Sequence, residues 1–271
     1  MQKRVMSRKN VQYREVYNLR MLTSQRKHLI LERLKQNGQI IAKDLSAELG
    51  LSEDTIRRDL RELAAEGFLQ RVHGGALPAS PAIANFATRE NLGSSSKKAL
   101  GQKAAQMIQD GQVIFMDGGT TNTQLVRHLP PQLEATIVTH SPSIAVELVQ
   151  HPRIEVVLIG GQLYKHSIVS VGAATLKAIS YIQADTYFMG VTAIHAVHGL
   201  STGNLEESYV KRALMQNSAE TIVLASNEKL GAVSPYQITE LNGISELLVG
   251  SSFDKKLHTA LQKAGVKITT V

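Results

Sequence analysis

The sequence predicts an α/β chain in two parts: a small unit of three helices and a β-hairpin, followed by a larger, mainly parallel α/β domain. Three observations predict it. Apolar residues recur at helical spacing near the N-terminus, punctuated by Asn37-Gly38, Gly50 and Gly67; short β-rich runs alternate with helical stretches from Val113 onward; and 271 residues exceed the usual size of one domain. An apolar fraction of 43% and a charged fraction of 20% are those of a globular protein able to fill a core in each part. Only 4% of residues are aromatic and there is no Trp, which counts against a surface that stacks bases or sugar rings. No Cys is present, so no disulfide framework exists; no apolar run is long enough to span a bilayer or serve as a signal core, and a cytoplasmic location without membrane contact is expected.

The formal net charge is +7, and it is unevenly placed. Residues 1–73 hold 15 Lys/Arg against 9 Asp/Glu, while residues 74–271 hold 15 against 14. Most of the excess lies in residues 1–25, with 6 against 1, so any nucleic-acid reading of the folded unit must rest on where its cations sit.

In the small unit, residues 24–36 read as a helix capped by Thr23 or Ser24, with Leu29, Ile30 and Leu34 as its apolar stripe. Residues 41–49 form a second helix on Ala42, Leu45 and Leu49, ended by Gly50. Ser52 caps a third, whose first positions Glu53 and Asp54 suit the positive helix end and whose buried face is Ile56, Leu60 and Leu63. Residues 68–72 read as a strand, His73-Gly74-Gly75 as a tight turn and Ala76-Leu77 as the return strand. This order is that of a winged helix-turn-helix. Thr55, Arg57, Arg58 and Arg61 lie off the apolar stripe of the third helix, where guanidinium groups can pair base edges or phosphates. The competing reading is a solvated face with intrahelical pairs such as Asp54–Arg58 or Arg58–Glu62.

Residues 78–96, rich in Ala, Ser, Pro and Asn, read as a linker without helical or strand periodicity. The larger domain, 97–271, opens with a helix at 97–108. It continues through strand 113–116, helix 122–128, strand 136–139, helix 142–150 and strand 155–159, with later strands at 186–191, 221–225, 246–249 and 267–270. A helix at 207–217 turns Tyr209, Val210, Ala213 and Leu214 toward the sheet. Ligands in such folds collect at the carboxyl ends of strands. Asp117-Gly118-Gly119-Thr120-Thr121 follows a strand and opens a helix, so backbone N–H groups, the helix dipole and two hydroxyls converge there as a phosphate cradle. It lacks the Lys-Ser/Thr ending of a nucleotide P-loop, and a tight turn without a ligand is the alternative. His195 and His198 could share a metal at i, i+3, but they sit in a loop with no third ligand evident, and no metal or cofactor is expected.

The segment Ser52-Glu53-Asp54-Thr55-Ile56-Arg57-Arg58-Asp59-Leu60, with Arg26, Ile30 and Leu34 upstream and Arg71-Val72-His73-Gly74-Gly75-Ala76 downstream, resembles the DNA-binding signature of the DeoR family of bacterial sugar-metabolism regulators. The resemblance implies a winged helix-turn-helix at 22–77 that reads a double-stranded DNA operator through Ser52, Thr55, Arg57, Arg58, Arg61, Arg71, His73 and Gly74. Asp59 is expected to position a neighbouring arginine. Family chains begin near Met21, so residues 1–21 are a basic extension, either an arm that adds phosphate contacts or the product of an upstream start.

The rest of the chain resembles the family's sensor domain, which is similar in fold to ribose-5-phosphate isomerase and takes phosphorylated sugars. That likeness assigns phosphate to the 117–121 loop with Lys229, and sugar hydroxyls to Asp117, Glu207 and Thr139 or Ser141, with Gly160, Gly161 and Gly190 at neighbouring strand ends. Lys211 and Arg212 serve the ligand or brace their helix. One departure stands out: the family has Asp and Phe-Gly where this chain has Asn227 and Leu230-Gly231, which puts effector chemistry in question. The implied function is a homo-oligomeric repressor of carbohydrate-metabolism genes released by a phosphorylated sugar, and not an enzyme. The alternatives are a regulator with a changed or lost effector, and a sugar-phosphate isomerase using Asp117, Glu206 and Glu207 as acid and base.

Overall fold

A computed structural model describes residues 21–80, 86–251 and 255–271; the basic extension expected at 1–21 lies outside them except for Met21. The chain divides into two compact units, the first ending at Ala79 and the second beginning at Ser80.

The first unit runs α1 (Thr23–Asn37), β1 (Ile40–Ile41), α2 (Ala42–Leu49), α3 (Glu53–Ala65), β2 (Leu69–Val72) and β3 (Gly75–Pro78). Ile30, Leu34, Leu45, Leu49, Ile56, Leu60, Leu63 and Leu69 form its core. Gly38 and Gly50 end their helices at φ 72° and 64°, a left-handed turn that side chains with a Cβ avoid. Ser52 caps α3, its Oγ accepting from Thr55 N at 3.2 Å. Two local expectations fail. Thr23 lies inside α1, and Gln25 Oε1 accepts from Leu22 N at 3.1 Å instead. Ile41 belongs to a short strand that pairs with Gly75, because β3 offers it a ladder that the isolated sequence does not reveal.

The second unit runs α4 (Phe86–Asn91), α5 (Ser94–Ala105), β4 (Val113–Met116), α6 (Thr120–Arg127), β5 (Ala135–Thr139), α7 (Pro142–Leu148) and β6 (Ile154–Leu158). It continues with β7 (Gln162–Tyr164), β8 (Val169–Val171), α8 (Ala173–Ile179), β9 (Ala184–Gly190), β10 (Ala193–His195), β11 (Gly199–Thr202) and α9 (Leu205–Gln216). β12 (Ser218–Ala225), β13 (Tyr236–Thr239), β14 (Glu246–Val249), α10 (Lys255–Lys263) and β15 (Lys267–Thr270) complete it. Seven strands form one parallel sheet in the order β15-β14-β12-β9-β4-β5-β6. Alternate residues feed opposite faces: Phe115, Tyr187, Met189 and Val223 pack into one layer, and Ile114, Met116, Phe188 and Leu224 into the other. The order of connection reverses between β4 and β9, and the crevice beyond their carboxyl ends is the topological switch point where such sheets bind ligands.

Several elements differ from expectation. The stretch read as structureless at 78–96 contains α4, and the next helix starts at Ser94 and ends at Ala105 instead of spanning 97–108. The antiparallel pieces β7–β8 and β10-β11-β13, and helix α8, were not foreseen; these short strands lack the apolar run that marks β4. Tyr209 points outward at 41% exposure, while Glu207, Val210, Lys211 and Leu214 form the inner face of α9. Among the described residues no helix is long and apolar enough to cross a membrane.

Candidate functional site

The switch-point cavity is lined by Gly118, Gly119, Thr120, Thr121 and Asn122 after β4, by Gly190, Val191 and Thr192 after β9, and by Glu207 and Lys211 from α9. Arg89, Leu92, Lys97, Ser167, Val169, Glu228 and Lys229 complete the lining. The two glycines are required for different reasons. A Cβ on Gly118 would stand 2.5 Å from Val169 Cγ1, whereas Gly119 has open space but a φ of 109°. Together they let the chain turn tightly into α6, whose first N–H groups face the cavity with the positive end of the helix dipole.

Asp117 lies beneath this loop, 1% exposed. Its Oδ1 accepts from Gly118 N at 2.8 Å; its Oδ2 accepts from Gly190 N at 2.9 Å, from Tyr187 Oη at 3.2 Å and from Lys211 Nζ. Lys211 also donates to Gly190 O at 2.9 Å. Burial pushes the Asp117 carboxyl up, but Lys211, His140 and the Gly190 N–H outweigh it and hold the group below its ordinary range. Asp117 and Lys211 therefore tie the ends of β4 and β9 together, and Arg212 braces its helix by donating to Ile238 O at 2.9 Å.

Four cationic side chains, Arg89, Lys97, Lys211 and Lys229, meet at the cavity against the carboxylates Glu207 and Glu228. Burial, eased by Glu228 and deepened by Lys97, Arg89 and Lys211, pushes the Lys229 ammonium down to about 7. Such mutual repulsion is relieved by an anion. The orphaned buried atoms Arg89 Nε, Thr121 Oγ1 and Asn122 Oδ1 all belong to lining residues and have no partner among the described residues. Ile168, which sits between the lining residues Ser167 and Val169, holds φ at 54°, costly for a β-branched side chain.

Of the residues expected at this site, Gly118, Gly119, Thr120, Thr121, Gly190, Glu207, Lys211 and Lys229 line the cavity. Asp117, Thr139 and Ser141 do not: the Asp117 carboxylate is taken up by Gly118, Tyr187, Gly190 and Lys211, Thr139 Oγ1 donates to Met116 O at 2.7 Å and Ser141 Oγ to Ile168 O at 2.9 Å, so the two hydroxyls hold the walls. Gly160 and Gly161 lie apart, packed on Thr175, whose Oγ1 donates to Gly160 O at 2.9 Å. Asn227 is also outside the lining; a Cβ on Gly250 would come within 2.8 Å of its Oδ1, which places it against the end of β14. Arg89, Lys97 and Ser167 were missed.

On the first unit, Arg57, Arg58, Arg61, Arg71, His73 and Gly74 are all exposed. Arg57 pairs with Glu53 at 2.8 Å, whereas Arg58, Arg61 and Arg71 form no ion pair among the described residues. The intrahelical pairs Asp54–Arg58 and Arg58–Glu62 do not form. Arg57, Arg71, His73, Gly74 and Gly75 line one groove between α3 and the hairpin. Asp59 positions an arginine, but a distant one: Arg26 of α1, whose Nη2 donates to Asp59 Oδ1 at 2.9 Å. The imidazoles of His195 and His198 lie 5.0 Å apart and tilted by 46°, and His195 Nδ1 accepts from the backbone N–H groups of Val197 and His198, so its ring holds the turn that follows β10. No cluster of three or more metal-ligating side chains occurs among the described residues.

Residues 26–81 match the DeoR-like helix-turn-helix domain, and residues 93–251 match the DeoR C terminal sensor domain. The chain belongs to the DeoR family. This DeoR-family chain is 32% identical over 250 residues to the HTH-type transcriptional regulator GlpR of Haloferax volcanii, covering 92% of this chain and 98% of that one. It is 32% identical to the HTH-type transcriptional repressor GlcR of Bacillus subtilis, covering 88% and 93%, and 31% identical to the glycerol-3-phosphate regulon repressor of Escherichia coli, covering 78% and 84%. Among solved structures, the sorbitol operon regulator SorC from Klebsiella pneumoniae aligns with a TM-score of 0.41 at 15% identity, over 86% of this chain and 98% of that one. Ribose 5-phosphate isomerase A from Methanocaldococcus jannaschii aligns at 0.38 and 18%, over 51% and 54%. Both scores are too low to carry an argument.

Proposed function

We propose that this protein is a sequence-specific DNA-binding repressor of carbohydrate-metabolism genes, released when a phosphorylated sugar enters the switch-point cavity. The observation that carries the effector half is the convergence of four cations on a glycine loop at a helix N-terminus, chemistry suited to a phosphate dianion. Glu207, whose Oε2 accepts from Thr202 Oγ1 at 3.0 Å, lines the same cavity as an acceptor for sugar hydroxyls. On the first unit, Arg58, Arg61 and Arg71 are available to bases and phosphates, and Ser52 and Thr55 sit at the start of the helix that would enter the major groove. Pairing two half-sites calls for at least two chains, and we place the protein in the cytoplasm with its operator DNA.

An isomerase reading fits less well. Asp117 lies outside the cavity lining, accepts four hydrogen bonds, is ion-paired, and is held below its ordinary range, which unfits it as a general base near neutral pH. Loss of the Asp seen at position 227 in the family removes no group from the cavity lining, so it gives no ground for a lost effector.

The test is binding of the full chain to DNA upstream of its own and neighbouring genes, over a salt series, with and without a panel of sugar phosphates. Specific binding released by one compound is the expected result. No specific binding would overturn the central reading, binding that no compound alters would overturn effector release, and turnover of a sugar phosphate would revive the enzyme.

A further inference from the structure

Residues early in the sensor unit line its cavity or bond to its lining. Ser80, 2% exposed, directly follows the last residue of the DNA-binding unit, and its Oγ donates to the carbonyl of Thr192, a cavity-lining residue at the end of β9. α4, which begins at Phe86, presents Arg89 to the same cavity. Arg89 Nη2 donates to His166 O at 3.1 Å and its guanidinium lies 5.7 Å from the Phe86 ring, while its buried Nε has no partner among the described residues. Lys97 of α5, 2% exposed, donates through Nζ to Arg89 O and lines the cavity as well.

We propose that Arg89 and Lys97 bind the effector's anionic group together with Lys229, and that Ser80, through Thr192, ties the polypeptide leaving the DNA-binding unit to the rim of the same cavity. This rests on the sensing function proposed above and adds to it the residues by which sensing is transmitted. A ligand shifts an equilibrium only through groups it contacts differently in the two states. Here those groups include the segment that is covalently continuous with the wing strand β3, only two residues before Ser80. An anion drawing Arg89 Nε and Lys97 Nζ inward would reorganise α4 and its carbonyl partner Arg89 O. The Ser80–Thr192 bond then converts movement at the end of β9 into movement of the exit from the DNA-binding unit.

The experiment uses the full chain with inorganic phosphate as the probe of anion binding, read as a thermal shift against chloride at matched ionic strength. The releasing sugar phosphate identified from the panel is then the probe of DNA release. Lys229→Gln, Arg89→Gln and Ser80→Ala are compared with the natural sequence. Arg89→Gln is expected to weaken phosphate binding at least tenfold, as Lys229→Gln does, while DNA affinity without ligand stays within threefold. Ser80→Ala is expected to keep phosphate binding within threefold but to raise at least tenfold the sugar phosphate needed for release. If Lys229→Gln loses phosphate and Arg89→Gln does not, sensing stands and the role of α4 is overturned. If Ser80→Ala releases DNA like the natural sequence, the tether is overturned. If the unaltered chain shows no phosphate-dependent shift, the shared anion site is overturned, whereas the sensing function falls only if no sugar phosphate releases the DNA.

Discussion

Lys211 of α9 and Asp117 at the end of β4 form a buried ion pair, 94 residues apart in sequence, with side chains only 6% and 1% exposed. Removing one partner from such a pair leaves a charge without compensation in a poorly polarisable site and costs roughly 3–5 kcal/mol, whereas removing both costs far less. Lys211→Met is therefore expected to lower the unfolding temperature sharply at neutral pH, and Asp117→Asn with Lys211→Met to recover most of the loss. Thermal unfolding of the two single variants and the double variant checks this; a double variant as unstable as the sum of the singles would contradict the pairing.

His140 sits against the same carboxylate, its Nε2 3.5 Å from Asp117 Oδ1. Burial drives its imidazole down, Asp117 opposes this and Lys211 adds to it, leaving it to take up a proton only at about 4. In the unfolded chain it protonates near 6.5, so between 6.5 and about 4 the unfolded state binds a proton that the folded state refuses. Folding stability is expected to fall across that window by on the order of 3 kcal/mol, and His140→Gln to fall less. The contribution of Asp117 runs lower: its depressed carboxyl gives stability that is present above 3.8 and lost as the pH drops through its folded value. Urea midpoints of both proteins at several pH values between 7 and 4 separate the histidine from the rest; parallel curves would refute the assignment.

Asp59 and Arg58 are neighbours in sequence with opposite surroundings. Asp59 is 1% exposed and joined to Arg26, while Arg58 is exposed and unpaired among the described residues. Asp59→Ala strands the partly buried Arg26 guanidinium and is expected to destabilise the first unit by about 3 kcal/mol, with DNA binding lost as a consequence. Arg58→Ala should leave stability within about 0.5 kcal/mol and weaken specific DNA binding about tenfold or more. Circular dichroism melts paired with binding titrations tell the two apart. An Arg58→Ala protein that binds its operator normally would remove that residue from the interface.

These pairs mark the limit of what the sequence discloses. The central strands were legible because Phe115, Tyr187 and their neighbours must feed two cores at once, which writes an uninterrupted apolar run. The helices of the first unit were legible from Ile30, Leu34, Ile56 and Leu60 at helical spacing. Ser52 and the Gly118-Gly119 turn were legible because caps and tight turns depend on adjacent residues. The partner of Asp59 was not, since nothing local marks an arginine 33 residues upstream. Arg89 escaped for the same reason: its place at the cavity is set by the packing of α4, in a stretch whose composition reads as linker.

Gly74 and Gly75 stand side by side at the tip of the hairpin, and the structure predicts unequal consequences for changing them. Gly74 has a φ of 79° but open space around it, so Gly74→Asn, a residue that tolerates the left-handed region, is expected to cost no more than about 1 kcal/mol. At Gly75 the backbone is ordinary and the space is absent: a Cβ would fall 1.8 Å from Ile40 O, the residue beside its ladder partner Ile41. Gly75→Ala must therefore push β1 away from β3 and open the hydrogen bond from Ala42 N to Gly74 O, 2.9 Å long, that seats α2 against the turn. The expected outcome is a loss of more than about 2 kcal/mol in the first unit, while Gly74→Asn keeps its stability. Denaturant melts of the two variants decide it, and equal stabilities would mean that the close approach of Ile40 to the turn is not what holds the wing in place.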